Sequence, residues 1–265
     1  MTTTRIAPGS EPLRFFATGA TQHVFVTARD AEVVYKIPAV FPELRTRAFS
    51  PAKFKPVQPW KARLWAGVLR MAPGRLQLAG TPLLERYVAH RNRRRFSRMT
   101  ALLCQLTSSG RGYGLLPFTL IDAASLLLDT PAGPRLYSGP VLVQQRAGSF
   151  VTRPGTVWVD TAAIIGIQHG LWEAGVGLDD CDTVVGPHNW ALHAGRTYLG
   201  DTGSLTRDRE RVRAMLLPGA LDRTCEKVLR RCPDEASRRI ARQHVDLLGQ
   251  HITLEELERR WRTHS

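Results

Sequence analysis

Two groups of short strand patterns, split by one long helical pattern and followed only by helices, constrain this chain more than any other feature of its sequence. Arg14–Ala17, His23–Ala28 and Glu32–Ile37 are rich in Val, Phe and Tyr, and the turn-forming runs TGATQ and RDA separate them. Three strands on two tight turns predict an antiparallel meander. Leu83–Leu106 then carries Leu84, Val88, Phe96, Met99, Leu102, Leu103 and Leu106 at helical spacing. Strand patterns return at Leu115–Ile121, Ser125–Asp129, Arg135–Tyr137 and Val141–Gln145, with DTPAGP and SGP read as turns. Asp160–Ala174 is the next helix, capped by Asp160 or Thr161, with Ile164, Ile165, Ile167 and Leu171 on its apolar face. Trp190–Leu192 and Thr197–Leu199 flank the turn HAGR, and from Arg207 onward the pattern is helical, with breaks at Pro218-Gly219 and Cys232-Pro233. The order predicts an α+β protein in two lobes. Residues 1–145 form an antiparallel-sheet lobe carrying an insertion at 38–82, and residues 146–265 form a mainly helical lobe.

Composition narrows the setting. No apolar run approaches the ~20 residues needed to span a bilayer, and the N-terminal MTTTRIAPGSEPLRFF lacks the apolar centre of a secretory signal. The expected location is the cytoplasm, extending to the inner face of the membrane. Cys104, Cys181, Cys225 and Cys232 form no C-x-x-C pair, so neither a zinc ribbon nor a redox motif is expected. The net charge of +14 favours anionic partners without choosing among them. The Pro- and Arg-rich insertion holds one basic amphipathic piece, Trp60–Met71, read as a surface helix or as a contact for a membrane surface or an acidic partner. Arg91, Arg93, Arg94, Arg95 and Arg98 crowd the long helix, either as a solvated face or as a site for phosphate, nucleic acid or lipid.

A smaller set of residues carries chemistry. Lys36 is the lone cation in the apolar strand Val33–Ile37, which follows a hairpin whose turn contains Gly19. Asn189 precedes a strand hairpin, and Asp201 follows it in the run Gly200-Asp201-Thr202-Gly203. A neutral and an anionic oxygen suit hard Mg²⁺, although a D-T-G turn can also simply end a hairpin. Asp179, Asp180 and Asp182 make an acidic loop that supplies a base or is merely solvated. Glu85 is the only glutamate between Glu43 and Glu173, and it suits either a pairing with Lys36 or the helix dipole. His188 and His193 are five apart across a strand, a poor zinc spacing, and no nucleophile elbow, Walker loop or dinucleotide fingerprint is present. His169 is read as a packing or surface histidine.

Together these residues resemble the protein-kinase-like superfamily. Val33-Val34-Tyr35-Lys36 resembles the V-A-I-K strand, and F-A-T-G-A-T-Q resembles the glycine-rich loop with one glycine in place of three. Asn189 and Asp201, twelve positions apart, resemble the end of the catalytic loop and the aspartate of D-F-G. The resemblance implies ATP held by Gly19, Lys36, Glu85 and the hinge residues Gln144 and Arg146, with Mg²⁺ on Asn189 and Asp201. The usual H-R-D-x-x-x-x-N spacing would put its aspartate at position 184, which is Val184. A four-residue insertion in that loop makes Asp180, with Asp182 second, the expected base. Only 64 residues follow Asp201 and no A-P-E is present, so the layout is closer to compact bacterial members such as small-molecule, sugar or lipopolysaccharide-core kinases. The expected activity is transfer of the γ-phosphate of ATP to a hydroxyl of an anionic or membrane-associated acceptor. A pseudokinase that regulates by binding is the alternative, and nucleic acid is not the expected partner.

Overall fold

A computed structural model describes residues 11–18, 21–28, 32–44, 82–146, 148–149, 160–217, 219–230, 232 and 234–261. It is a mixed α+β structure. Strands β1 (Leu13–Thr18), β2 (Gln22–Val26) and β3 (Val33–Pro38) form the expected meander. Helix α1 (Pro82–Ser108) comes next, then the long hairpin β4 (Phe118–Thr130) and β5 (Gly133–Gln145).

The sheet differs from the expectation in two ways. The expected antiparallel sheet closes into a barrel in the order β1-β2-β3-β5-β4, sealed by a short parallel pairing of Leu13 with Leu128 and Arg14 with Asp129. The four strand patterns of the second group merge into two strands. Ser138-Gly139-Pro140 is not a turn but part of β5, where the Tyr137 hydroxyl donates to the Pro140 carbonyl at 2.8 Å and ties the irregular stretch to itself. A bulge between Ile121 and Ala124 likewise lets β4 run through what the sequence suggested was a break.

Alternation along these strands fills the barrel with Leu13, Phe25, Ile37, Ile121, Leu126, Leu128, Tyr137 and Val141. Pro38–Leu44, expected to begin the insertion, belongs to the barrel. Ala39 and Leu44 are buried, and the Ala39 amide donates to Thr21 O at 2.9 Å. The Trp60–Met71 piece lies outside the described residues.

A second cluster of buried apolar residues lies among the helices. It joins Phe96, Met99, Leu103 and Leu106 of α1 to Ile164, Leu171 and Trp172 of α2 (Thr161–Glu173). Asp160 caps α2 as expected, accepting from the Ala163 amide at 3.1 Å. Each fully buried Leu or Ile here contributes about 1.5–3 kcal/mol relative to exposure. Two-residue β7 (Gly177–Leu178) and the short helix α3 (Cys181–Val185) follow, then a 3₁₀ turn Pro187–Asn189. The hairpin β8 (Trp190–His193) and β9 (Arg196–Leu199) closes on Ala194-Gly195, both at positive φ, as a two-residue turn matched to strand twist requires. Gly148 and Ser149 form β6 beside β8, and β10 (Leu205–Thr206) pairs with β7. Helices α4 (Arg209–Leu216), α5 (Ala220–Arg230), α6 (Glu235–His251) and α7 (Leu254–Arg260) complete the chain, with a further break at Ile252-Thr253. No helix among the described residues is long and apolar enough to cross a membrane.

Candidate functional site

Three peptide segments, distant in sequence, meet at the end of the β8–β9 hairpin. The Asn189 carbonyl accepts from the amides of Gly200 at 2.8 Å and Asp201 at 3.0 Å, so one peptide oxygen fixes where the chain leaves β9. Gly200 permits this closeness, because a Cβ there would lie 3.2 Å from that same oxygen. The Gly200 carbonyl then accepts from Lys36 Nζ at 2.9 Å, a contact between residues 164 positions apart. Lys36 stands on β3 in register with Val24 on one side and Leu142 on the other. Desolvation holds its ammonium below the usual lysine range, and the Asp201 carboxylate works against that shift.

Asp201 is solvent-facing. Its Oδ1 accepts from the Gly203 amide at 2.8 Å, the Asx turn expected of D-T-G. Asn189 is buried, and its Nδ2 donates to the Asp182 carbonyl at 2.6 Å. The pairing of Leu178 with Leu205 sets the acidic loop beside this turn, and the Asp179 amide donates to Ser204 O at 3.0 Å.

Within the acidic loop the three aspartates have different occupations. Asp180 is exposed and caps α3, its Oδ1 accepting from the Asp182 amide at 3.0 Å. Asp182 Oδ1 lies 3.2 Å from Lys227 Nζ of α5. Asp179 is bridged by Arg95 at 3.6 Å and Arg211 at 3.3 Å. Val184, at the position where the kinase pattern has its aspartate, is fully buried in the helical core.

The expected nucleotide contacts fare unevenly. Gly19 and the side chain of Glu85 lie outside the described residues. Gln144 is buried and in register with both Val34 and Phe118, in the middle of the sheet. The amides of Gln145 and Arg146 donate to Pro117 O at 3.4 Å and Glu32 O at 2.5 Å, so these two hinge donors are already committed. The Arg146 guanidinium sits 4.8 Å from the Phe16 ring centre. His169 packs as expected, with Nε2 3.0 Å from the His251 carbonyl.

Several residues that shape the site were not assigned to it by the sequence. Arg95 Nε donates to Gly203 O at 3.0 Å, and so joins α1 to the D-T-G turn. This corrects the solvated-face reading for Arg95, which is partly buried. Its spacing gives the signal, seven residues after Val88 and four before Met99 on the inward stripe. Met99 Sδ is approached by Gln22 Nε2 at 2.9 Å and by the Thr202 hydroxyl at 3.3 Å. Asn92 Nδ2 donates to Ala39 O at 2.8 Å. Helix α1 therefore touches both the barrel and the Asp201 turn. Among the described residues no group of three or more His, Cys, Asp or Glu comes together as a metal cage.

Comparison with models of known protein families and with curated proteins finds no match for this chain.

Proposed function

We propose that this chain is a two-lobed, protein-kinase-like phosphotransferase that uses MgATP. The observation carrying the proposal is the Gly200 peptide, whose carbonyl accepts from Lys36 Nζ and whose amide, like that of Asp201, donates to the Asn189 main-chain carbonyl. The barrel would serve as the nucleotide-covering lobe and the helices α2–α7 as the acceptor lobe. Kinase chemistry asks mainly for positioning and charge. A lysine on the third strand would supply a compact cation for phosphate oxygens, and Asn189 and Asp201 would offer hard oxygens to Mg²⁺.

Lysine itself is a selective choice here. Arginine provides 32 of the 37 basic residues, and only five are lysine. The two lysines among the described residues, Lys36 and Lys227, both contact the candidate site. An ammonium fits where a single point charge must reach a phosphate inside a tight sheet, and a guanidinium fork does not.

In this reading the acceptor hydroxyl passes its proton to a carboxylate of the acidic loop while its oxygen bonds to the γ-phosphorus. The bond from that phosphorus to the β–γ bridging oxygen breaks, and ADP leaves. Asp180 is the better-placed base for solvent access, and Asp182 is held by Lys227.

A pseudokinase reading draws on a specific feature. Both candidate bases are engaged, Asp180 as a helix cap and Asp182 in an ion pair, and the usual position is a buried valine. The two readings part in one experiment. Nucleotide binding is measured by thermal shift with MgATP, and turnover by ADP release, in the wild type and in Lys36→Met, Asp180→Ala, Asp182→Ala and Asp201→Asn. Turnover lost in Asp201→Asn and in one loop variant supports the kinase. Binding without turnover supports the pseudokinase, and absence of both removes the nucleotide reading.

A further inference from the structure

Helix α2 buries Ile164, Gln168, Leu171 and Trp172, and two of these side chains carry polar atoms. Gln168 and Trp172 are both 0% exposed. Among the described residues, nothing accepts from Gln168 Nε2 or Trp172 Nε1, and nothing donates to Gln168 Oε1. Other buried groups of the same kinds are served within the protein. The Trp190 indole donates to the Val184 carbonyl at 3.1 Å. The side-chain amides of Gln22, Asn92 and Asn189 donate to Met99 Sδ at 2.9 Å, Ala39 O at 2.8 Å and Asp182 O at 2.6 Å. Pairing is the rule for such atoms, because an unpaired buried donor or acceptor gives up its hydration without return. A leucine at position 168 would bury a similar volume at no such cost.

Gln168 and Trp172 are one helical turn apart, so they share a face of α2, with Cβ atoms about 5–6 Å apart. Two hydrogen bonds of about 2.9 Å in series span a gap of that size. The chemistry of the three atoms narrows what can fill it. Two are N–H donors and one is a carbonyl acceptor, whichever way the amide is turned. A metal ion cannot accept a hydrogen bond, and a monatomic anion cannot donate one. An ion of either sign would also have to leave its hydration shell for an apolar core. Water is neutral, and it is the smallest group that both accepts and donates.

We infer that Gln168 and Trp172 form an internal water site in the helical lobe, where bound water accepts from the Trp172 indole and exchanges hydrogen bonds with the Gln168 amide. The site is independent of the kinase reading above. Its role is structural. It completes the hydrogen bonding of the inward face of α2, the helix that runs into β7 and the acidic loop.

The test is water-selective NMR on the ¹⁵N-labelled full chain, recorded in the laboratory and rotating frames at a pH where indole exchange is slow. Trp172→Phe assigns the Trp172 indole signal by its loss. A water that tumbles with the protein gives that indole proton a cross-peak of opposite sign in the two frames, whereas proton exchange gives the same sign in both. The expected result is an opposite-sign cross-peak on the Trp172 indole and on the Gln168 side-chain amide, and none on the Trp190 indole, which Val184 already serves. Gln168→Leu is expected to abolish the Trp172 cross-peak while the rest of the spectrum stays dispersed. No water cross-peak on Trp172 in the wild type overturns the site, and that result needs no variant to fold. A Trp172 cross-peak that survives Gln168→Leu, or one equally strong on Trp190, overturns it as well.

Discussion

Replacing Gly114 by alanine should unsettle both the fold and the Asp201 turn, by an amount that the geometry allows to be divided. Gly114 has φ +59, and a Cβ there would lie 2.3 Å from both Cδ1 and Cγ1 of Ile167 and 3.3 Å from its Cβ. Rotating the isoleucine tip does not relieve a contact that reaches its Cβ, so α2 or the 113–115 segment must shift by about 1 Å to restore ordinary carbon–carbon spacing. The left-handed backbone costs an alanine about 1–2 kcal/mol, and overpacking adds about 1–3 kcal/mol. Stiffening of the unfolded chain returns about 0.4–1 kcal/mol. The net expectation is about 2–4 kcal/mol of destabilisation, a large part of a typical total of about 5–15 kcal/mol.

Gly110 supplies the control. It has φ +70 and nothing within 4 Å of its would-be Cβ, so Gly110→Ala should show the backbone effect alone, about 0–1.5 kcal/mol. Urea unfolding followed by the fluorescence of buried Trp172 and Trp190 measures both. The shift should also reach the site. Gly114 O accepts from the Leu199 amide at 2.7 Å, one residue before the carbonyl that holds Lys36. In the folded Gly114→Ala protein MgATP should bind more weakly than in Gly110→Ala. Equal unfolding midpoints for the two variants would refute the packing argument.

Other outcomes follow from the same geometry. Lys36→Met and Asp201→Asn should each abolish stabilisation by MgATP while leaving far-ultraviolet circular dichroism unchanged. Asp160→Ala should cost about 1 kcal/mol in urea unfolding, because it frees the Ala163 amide at the start of α2. Burial holds His244 below its usual pKa of 6.5, with Nδ1 2.9 Å from the Thr161 hydroxyl and Nε2 3.3 Å from Val185 O opposing weakly; His169 is lowered for the same first cause. The unfolded chain then takes up the proton first, so this stability is complete above about pH 6.5 and declines as the pH falls below it. A urea midpoint that drops between pH 7.5 and 5.5 in the wild type, and drops less in His244→Gln, is the expected result.

Local signals made much of this molecule legible. Period-two runs with turn residues between them placed β1, β2 and β3 within a residue or two, and the Asp160 cap gave the start of α2. HAGR gave the β8–β9 turn, because two residues at positive φ favour Gly in one of them. What the sequence hid was long-range. Barrel closure depends on two parallel pairings between Leu13–Arg14 and Leu128–Asp129, a contact that neither segment's pattern encodes. Ser138-Gly139-Pro140 has turn composition, yet partners on β4 hold it extended. At the site, Lys36, Asn189 and Asp201 stood out through the resemblance of their segments to the kinase motifs. Arg95 did not, because it is one arginine among five within eight positions, and only its spacing from Val88 and Met99 marks it as the one on the inward stripe. The occupation of the Gln145 and Arg146 amides was equally invisible, since it depends on Pro117 and Glu32, which are adjacent only in the folded sheet.

The convergence of Lys36 with a metal-bound triphosphate is tested most directly by lysine-selective NMR on the reductively methylated chain, in which five lysines give a readily assigned spectrum. Adding AMP-PNP with paramagnetic Mn²⁺ in place of Mg²⁺ should broaden the Lys36 signal beyond detection, and Asp201→Asn should restore it. A Lys36 signal that stays sharp and unshifted at saturating nucleotide and Mn²⁺ would contradict the account.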